Sequence, residues 1–215
     1  MFGGGFDLRL IAIVMATYVV AITVHEFMHA WTAYQLGDDT AYHLGRVTLN
    51  PVVHFDPIGF LMFLLIAVTG FGFAWGKPVP VNVYRLRPIG PLGREGSMAL
   101  VAIAGPVSNV VLAFAGALSL VLGGDAIRGT FAEYAITVFV VLNVGLAAFN
   151  MIPIPPLDGY RIMLALLPRW WQPVIAGLER YSFGILLLII FVAPGVLADM
   201  VSPVYQALLS ALPGI

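Results

Sequence analysis

Four stretches of the chain are apolar for long enough to cross a bilayer: 8–36, 96–122, 131–152 and 183–200. Each approaches or exceeds the ~20 residues that a spanning helix requires. The first is longer, which predicts a helix that tilts or protrudes. Between the first two lies a shorter apolar stretch, 58–75, broken near its end by Gly70 and Gly72 and followed by Gly76. It predicts either a span or a segment that enters and leaves on one side. Two neighbouring stretches follow another rhythm. Residues 45–51 and 79–84 alternate and are rich in β-branched side chains, the pattern of short interfacial β-strands. Pro80 would confine the second of them to an edge or to the start of a strand. Pro153, Pro155 and Pro156 end the third span and force an extended path as far as Asp158. Residues 163–166 predict a short helix, and Trp170 and Trp171 suit an interfacial aromatic belt.

Composition changes this picture from an apolar chain to a membrane chain. Of 215 residues, 60% are hydrophobic and 10% are charged, where soluble domains carry about 25% charged residues. The mean hydropathy is +0.98. The expected fold is therefore an all-α polytopic membrane protein. It has about four transmembrane helices, a re-entrant or short fifth apolar segment over 58–75, and short interfacial strands, in a single domain over 1–215. A net charge of −1 with no basic run argues against a nucleic-acid partner. The absence of cysteine excludes disulfides, thiol nucleophiles and Cys-ligated zinc, so a bound metal must use His, Asp or Glu. Residues 1–10 lack the basic region and cleavage site of a signal peptide, which predicts a retained first helix.

The basic residues suggest an orientation. Lys77, Arg85, Arg87 and Arg94 precede the second span, and Arg161, Arg169 and Arg180 separate the third from the fourth. Arg128 stands alone between the second and third. The positive-inside rule places both clusters in the cytoplasm and Arg128 outside. A full crossing by 58–75 would then put His29 in the outer half of the membrane, away from Asp158. A re-entrant 58–75 makes the first span run inward, with His29 about 10 Å from its cytoplasmic end. His25, His29 and Asp158 then share one depth, and this arrangement, with the N-terminus outside, is the expected one.

The chemistry is concentrated in His25-Glu26-Phe27-Met28-His29, inside the first span. Two histidines four apart share a helix face and can reach one metal ion. The glutamate after the first of them has the place of the general base in zinc hydrolases. Three ionisable groups within the membrane are costly unless they serve a function. A catalytic zinc keeps three protein ligands. The candidates for the third are Asp158, His54, Asp56, Glu133 and Asp199. Asp158, in the rigid Pro155-Pro156-Leu157-Asp158-Gly159, suits a ligand and equally suits a cap for the helix that begins near Tyr160.

With these residues in hand, the chain resembles the site-2 protease family of intramembrane zinc metalloproteases. The likeness rests on the His25–His29 run, on Gly105-Pro106-Val107-Ser108-Asn109, and on Asn150-Met151-Ile152-Pro153-Ile154-Pro155-Pro156-Leu157-Asp158-Gly159. It covers about residues 22–161 in the expected order. The resemblance implies His25, His29 and Asp158 as ligands of one Zn2+ per chain, with Glu26 as the catalytic base. It also implies the compact branch, without a PDZ or CBS region and with no span before the motif helix.

The expected activity is that of a zinc endopeptidase cutting a transmembrane protein substrate in or near its membrane segment. The expected location is multi-pass in a bacterial or archaeal cytoplasmic membrane, with the site nearer the cytoplasm. Oligomeric state is left open. Asn109 and Asn150 suit substrate or oxyanion binding, and equally suit helix–helix hydrogen bonds. Gly105-Pro106 predicts a kink or loosening of the second span beside the site. His54 suits a role behind the metal ligands, although an interfacial turn built on Asp56-Pro57 accounts for the same residues. Residues 79–84 offer an edge for an extended substrate or one arm of a hairpin with 47–50. A metal or proton transporter and an inactive scaffold are the competing classes. The adjacent Glu26 and the intact ligand set argue against them.

Overall fold

The computed structural model describes residues 8–69, 74–168, 170, 171, 175 and 177–214. Gly70, Gly72 and Arg169 of the patterns above lie outside the described residues, as do residues 1–7. The helices are α1 (Leu8–Gln35), α2 (Thr40–His43), α3 (Pro57–Thr69), α4 (Gly93–Ile127), α5 (Phe131–Asn150), α6 (Asp158–Leu166), α7 (Ser182–Val192) and α8 (Pro194–Ser210). Among the described residues α1, α4 and α5 are each long and apolar enough to span a membrane.

These three helices pack on one another through small side chains. Ala21, Ala30 and Ala33 of α1, Ala113 and Ala117 of α4, and Ala147 of α5 are fully buried. A Cβ on Gly116 would lie 2.8 Å from Val140 of α5. Small residues let helix backbones approach where lipid supplies no hydrophobic drive between helices. The outward faces keep large apolar side chains such as Leu100, Val111, Phe114 and Val141 exposed, as a lipid-facing surface requires.

Three sequence expectations change here. No β-strand forms among the described residues. Asn50 and Asn82 each turn the chain into a 3-10 helix, their side-chain oxygens accepting from Val52 N and Tyr84 N (both 3.1 Å). That local bond competes with a strand ladder, and Pro78 and Pro80 remove two further donors. Residues 74–82 form neither helix nor strand; Pro78 and Pro80 hold residues 77–80 to an extended backbone, and Asn82 is extended (φ −97°, ψ 99°). Second, the stretch 183–200 is no straight helix: α7 and α8 meet at a 98° bend. The break falls at Ala193-Pro194, because Pro194 has no N–H with which to continue α7 and instead starts α8. Third, the helix of the second span is longer than 96–122: α4 runs from Gly93 through Pro106 to Ile127 and departs from helical geometry at Gly124 (φ 46°, ψ −133°), in the left-handed region open to glycine.

The short apolar helix α3 brings its flanks together. Lys77 N donates to His54 O (2.9 Å). The carbonyl of Trp75 sits where a Cβ on Gly59 would be. Thus residues 54 and 59, before and at the start of α3, touch residues 77 and 75 after it.

Candidate metal centre

Helix α1 places Tyr18, Ile22, His25, Glu26 and His29 on one side of a cavity of about 370 Å³, which is also lined by Asp158 and Asn150. The motif is deep: His25, Glu26 and His29 are only 3%, 8% and 7% exposed. Asp158 arrives at the start of α6, beyond α5. The prolines after α5 turn the chain, and Gly159 lets α6 start directly against Met151, whose carbonyl would collide with a Cβ there. Asp158 is the first residue of α6, whose N-cap position is held by Leu157. Its carboxylate faces the histidines, with Oδ2 3.1 Å from His25 Nε2 and Oδ1 3.3 Å from His29 Nε2.

Hydrogen bonds behind the rings establish which nitrogens carry protons. Asn109 donates through Nδ2 to Ala21 O (3.2 Å) and Asn143 Oδ1 (3.0 Å). Ala21 O can only accept, so the Asn109 oxygen must face His25, and His25 Nδ1–H donates to it (2.7 Å). His29 Nδ1–H donates to Val101 O (2.7 Å), which likewise can only accept. In the neutral rings both Nε2 atoms then present lone pairs, 3.0 Å from each other and beside the Asp158 carboxylate. Asp158 Oδ2 has no hydrogen-bond donor.

Three acceptors converge with nothing donated between them, an arrangement that repels itself unless a cation sits among them. A shared proton would satisfy one pair, whereas a divalent cation satisfies all three. Tetrahedral zinc with bonds of about 2.0–2.2 Å puts its donors roughly 3.3–3.6 Å apart, close to the separations found. The donor set thus fits zinc, and His25, His29 and Asp158 could hold it.

Helix α4 closes the site from behind. Pro106 gives no N–H to the preceding turn, and that turn presents Val101 O to His29 and Gly105 to both rings. A Cβ on Gly105 would collide with His29 Nε2 and lie 2.6 and 2.7 Å from Cε1 of His29 and His25. Gly105→Ala is therefore expected to displace both imidazoles and cut zinc content sharply, read by elemental analysis of the purified variant. Wild-type zinc content in that variant would refute this packing.

The remaining sequence candidates fall in different places. Asn109 joins His25, Ala21 and Asn143 in a fully buried network. Asn150 donates to Leu146 O (3.0 Å) and lines the cavity. His54 lies behind the extended segment, not on the metal cluster. Its Nε2–H donates to Thr48 O (2.7 Å), and burial lowers its pKa, opposed by that bond and reinforced by Arg46. Asp56 Oδ1 accepts from Ile58 N and Gly59 N (3.0 and 2.9 Å), which makes it the start of α3. Asn143, which braces Asn109, escaped the sequence reading. An amide inside an apolar span is itself costly, and that signal could have found it.

The chain is similar to known zinc metalloproteases. The family model described as Peptidase family M50 matches residues 124–193. "Putative zinc metalloprotease YwhC" of Bacillus subtilis is 41% identical over 195 residues, which cover 88% of this chain and 84% of the relative. Rip2 of Mycolicibacterium smegmatis, under the same description, is 32% identical over 83% of this chain and 66% of the relative. A third, MJ0611 of Methanocaldococcus jannaschii, is 30% identical over 70% of this chain and 65% of the relative. No solved structure matches significantly. With its apolar spanning helices, the chain is an integral membrane protein in contact with lipid. It belongs to peptidase family M50, the site-2 protease family, and is a zinc metalloendopeptidase.

Proposed function

We propose that this chain hydrolyses a peptide bond in or beside a transmembrane segment of a membrane protein. In this reading His25, His29 and Asp158 hold one zinc and Glu26 acts as the base. The observation that carries it is the convergence of two imidazole lone pairs and one carboxylate in a cavity walled by spanning helices. When bound, zinc supplies Lewis acidity, which acidifies a water and polarises a peptide carbonyl.

The side chains do the rest. Glu26 lines the same cavity, and its Oε1 would be 3.3 Å from a Cβ on Gly76. A Glu26 carboxylate oxygen takes the proton from the attacking water and returns it to the departing amine. Asn109 spends both amide hydrogens on Ala21 and Asn143, so it acts by holding His25 with Nε2 turned inward. Asn150 keeps its Oδ1 for a substrate N–H. Asn109→Ala is expected to weaken zinc binding about 10–100-fold while Asn150→Ala leaves it unchanged, measured by competition with a zinc chelator. Equal zinc affinity in both would remove the proposed role of Asn109.

The contacts of Trp75 with Gly59 and of Lys77 with His54 support a re-entrant 58–75. A helix of 13 residues, about 20 Å long, is also shorter than a bilayer core. With α1 then running inward, the centre lies nearer the cytoplasm, within a single domain over 1–215.

The test uses bilayer vesicles carrying the zinc-loaded protein and a set of labelled transmembrane peptides, beside water-soluble peptides of the same central sequence. Cleavage of embedded peptides that stops on chelation is expected. Cleavage confined to the soluble set would sink the intramembrane reading.

A further inference from the structure

Two buried charged side chains outside the metal centre have no part in the mechanism above. Asp38, between α1 and α2, is 0% exposed, and Arg46, after α2, is 4% exposed. Burying a charge is expensive unless it is well paired. Both are committed to backbone atoms of one segment. Arg46 Nη2 donates to Lys77 O, and lies 3.5 Å from Pro78 O. Asp38 Oδ2 accepts from Asn82 N (2.6 Å), while its Oδ1 accepts from Thr40 N (3.1 Å) and Thr40 Oγ1 (2.5 Å). His54 O adds a third tie, accepting from Lys77 N.

The segment is thus held at both ends and free in the middle. Pro78, Val79 and Val81 face the catalytic cavity. Pro78 and Pro80 have no N–H, and among the described residues the amides of Val79 and Val81 have no partner. In an extended chain residues 79 and 81 point their backbone groups to the same side. Pro78 and Pro80 favour an extended backbone over 77–80, but they do not fix where the segment lies, and ordering each residue costs about 1–2 kcal/mol of backbone entropy.

We propose that Asp38 and Arg46 are positioning residues that clamp the two ends of Lys77–Asn82, keeping Val79 and Val81 extended along the cavity to receive the backbone of the bound peptide. The inference rests on the proposed function above for what enters the cavity. Charged donors and acceptors make the stronger hydrogen bonds, and Arg46 reaches both carbonyls through one nitrogen, Nη2, of a planar guanidinium whose pre-organised geometry a lysine ammonium lacks.

The experiment compares two zinc-binding probes on the full-length, zinc-loaded protein in detergent. A leucine-containing tripeptide hydroxamate carries a peptide backbone, and acetohydroxamate carries the zinc-binding head alone. In Arg46→Lys and Asp38→Asn the tripeptide probe is expected to weaken about ten-fold, the loss of one or two backbone hydrogen bonds. Acetohydroxamate affinity and zinc content are expected to stay at wild-type values. Equal loss for both probes, or loss for neither, overturns the clamp. Wild-type protein supplies a second reading that needs no variant. The exchangeable amides of 77–82 are those of Lys77, Val79, Val81 and Asn82, and two of these are already bonded. Hydrogen exchange there is expected to slow with the tripeptide probe and not with acetohydroxamate. Unchanged exchange also overturns the proposal. If wild type binds neither probe, the catalytic reading itself fails, which is a distinct outcome.

Discussion

Replacing Glu26 with glutamine leaves one zinc in the protein and lowers the rate of peptide cleavage by about 10²–10⁴-fold, the range that general acid–base catalysis supplies. The substitution keeps the size of the side chain and its place in the cavity, 8% exposed, and removes only the ability to accept and return a proton. His25 and His29 keep their supporting bonds to Asn109 and Val101 without Glu26, so the metal has no reason to leave. The check pairs elemental analysis with cleavage of an embedded peptide by the same preparation. Full activity in Glu26→Gln would end the case for this residue as base, and zinc loss would show that it serves the metal instead.

Asp158→Ala and His25→Ala are each expected to empty the metal centre, with zinc affinity falling by more than about 100-fold. Outer partners of metal ligands alone are worth 10–100-fold, and these two would be direct ligands. The two variants differ in what they leave behind. Asp158→Ala removes a carboxylate whose Oδ2 has no other donor, so the rest of the fold should barely respond. His25→Ala strands the Asn109 oxygen, a buried acceptor whose partner is gone, at a cost of about 1–3 kcal/mol of stability. Zinc content and thermal unfolding should therefore separate: both variants lose metal, and His25→Ala loses more stability. Zinc retained at wild-type level in Asp158→Ala would mean that another group is the third ligand, and the shared depth of α1 and α6 would have to be reargued.

Much of this is written locally. The His25–His29 spacing needs nothing beyond 3.6 residues per turn to place two imidazoles together. The long apolar stretches of α1, α4 and α5 can be read from length alone. Where sequence reasoning erred, a competing local interaction won. Alternation over 45–51 and 79–84 suggested strands, but alternation states only which side chains share a face. Asn50 and Asn82 bend the chain by bonding the backbone two residues on. The fourth apolar stretch looked continuous because hydropathy does not register the donor missing at Pro194.

The chain by itself determined the class of protein, the helix that carries the candidate ligands His25 and His29 and the chemistry available to it, because these depend on composition and on residues within two turns of one another. Only the tertiary structure decided the rest. It turned Asp158 toward the histidines instead of the helix end, gave Asn109 to His25, and set Gly105 against both rings. It also ran Asp38 and Arg46 to the ends of one extended segment. Each of these joins residues tens of positions apart. What selects them is the requirement that every buried polar group find a partner, and that requirement can be met only once the helices have packed.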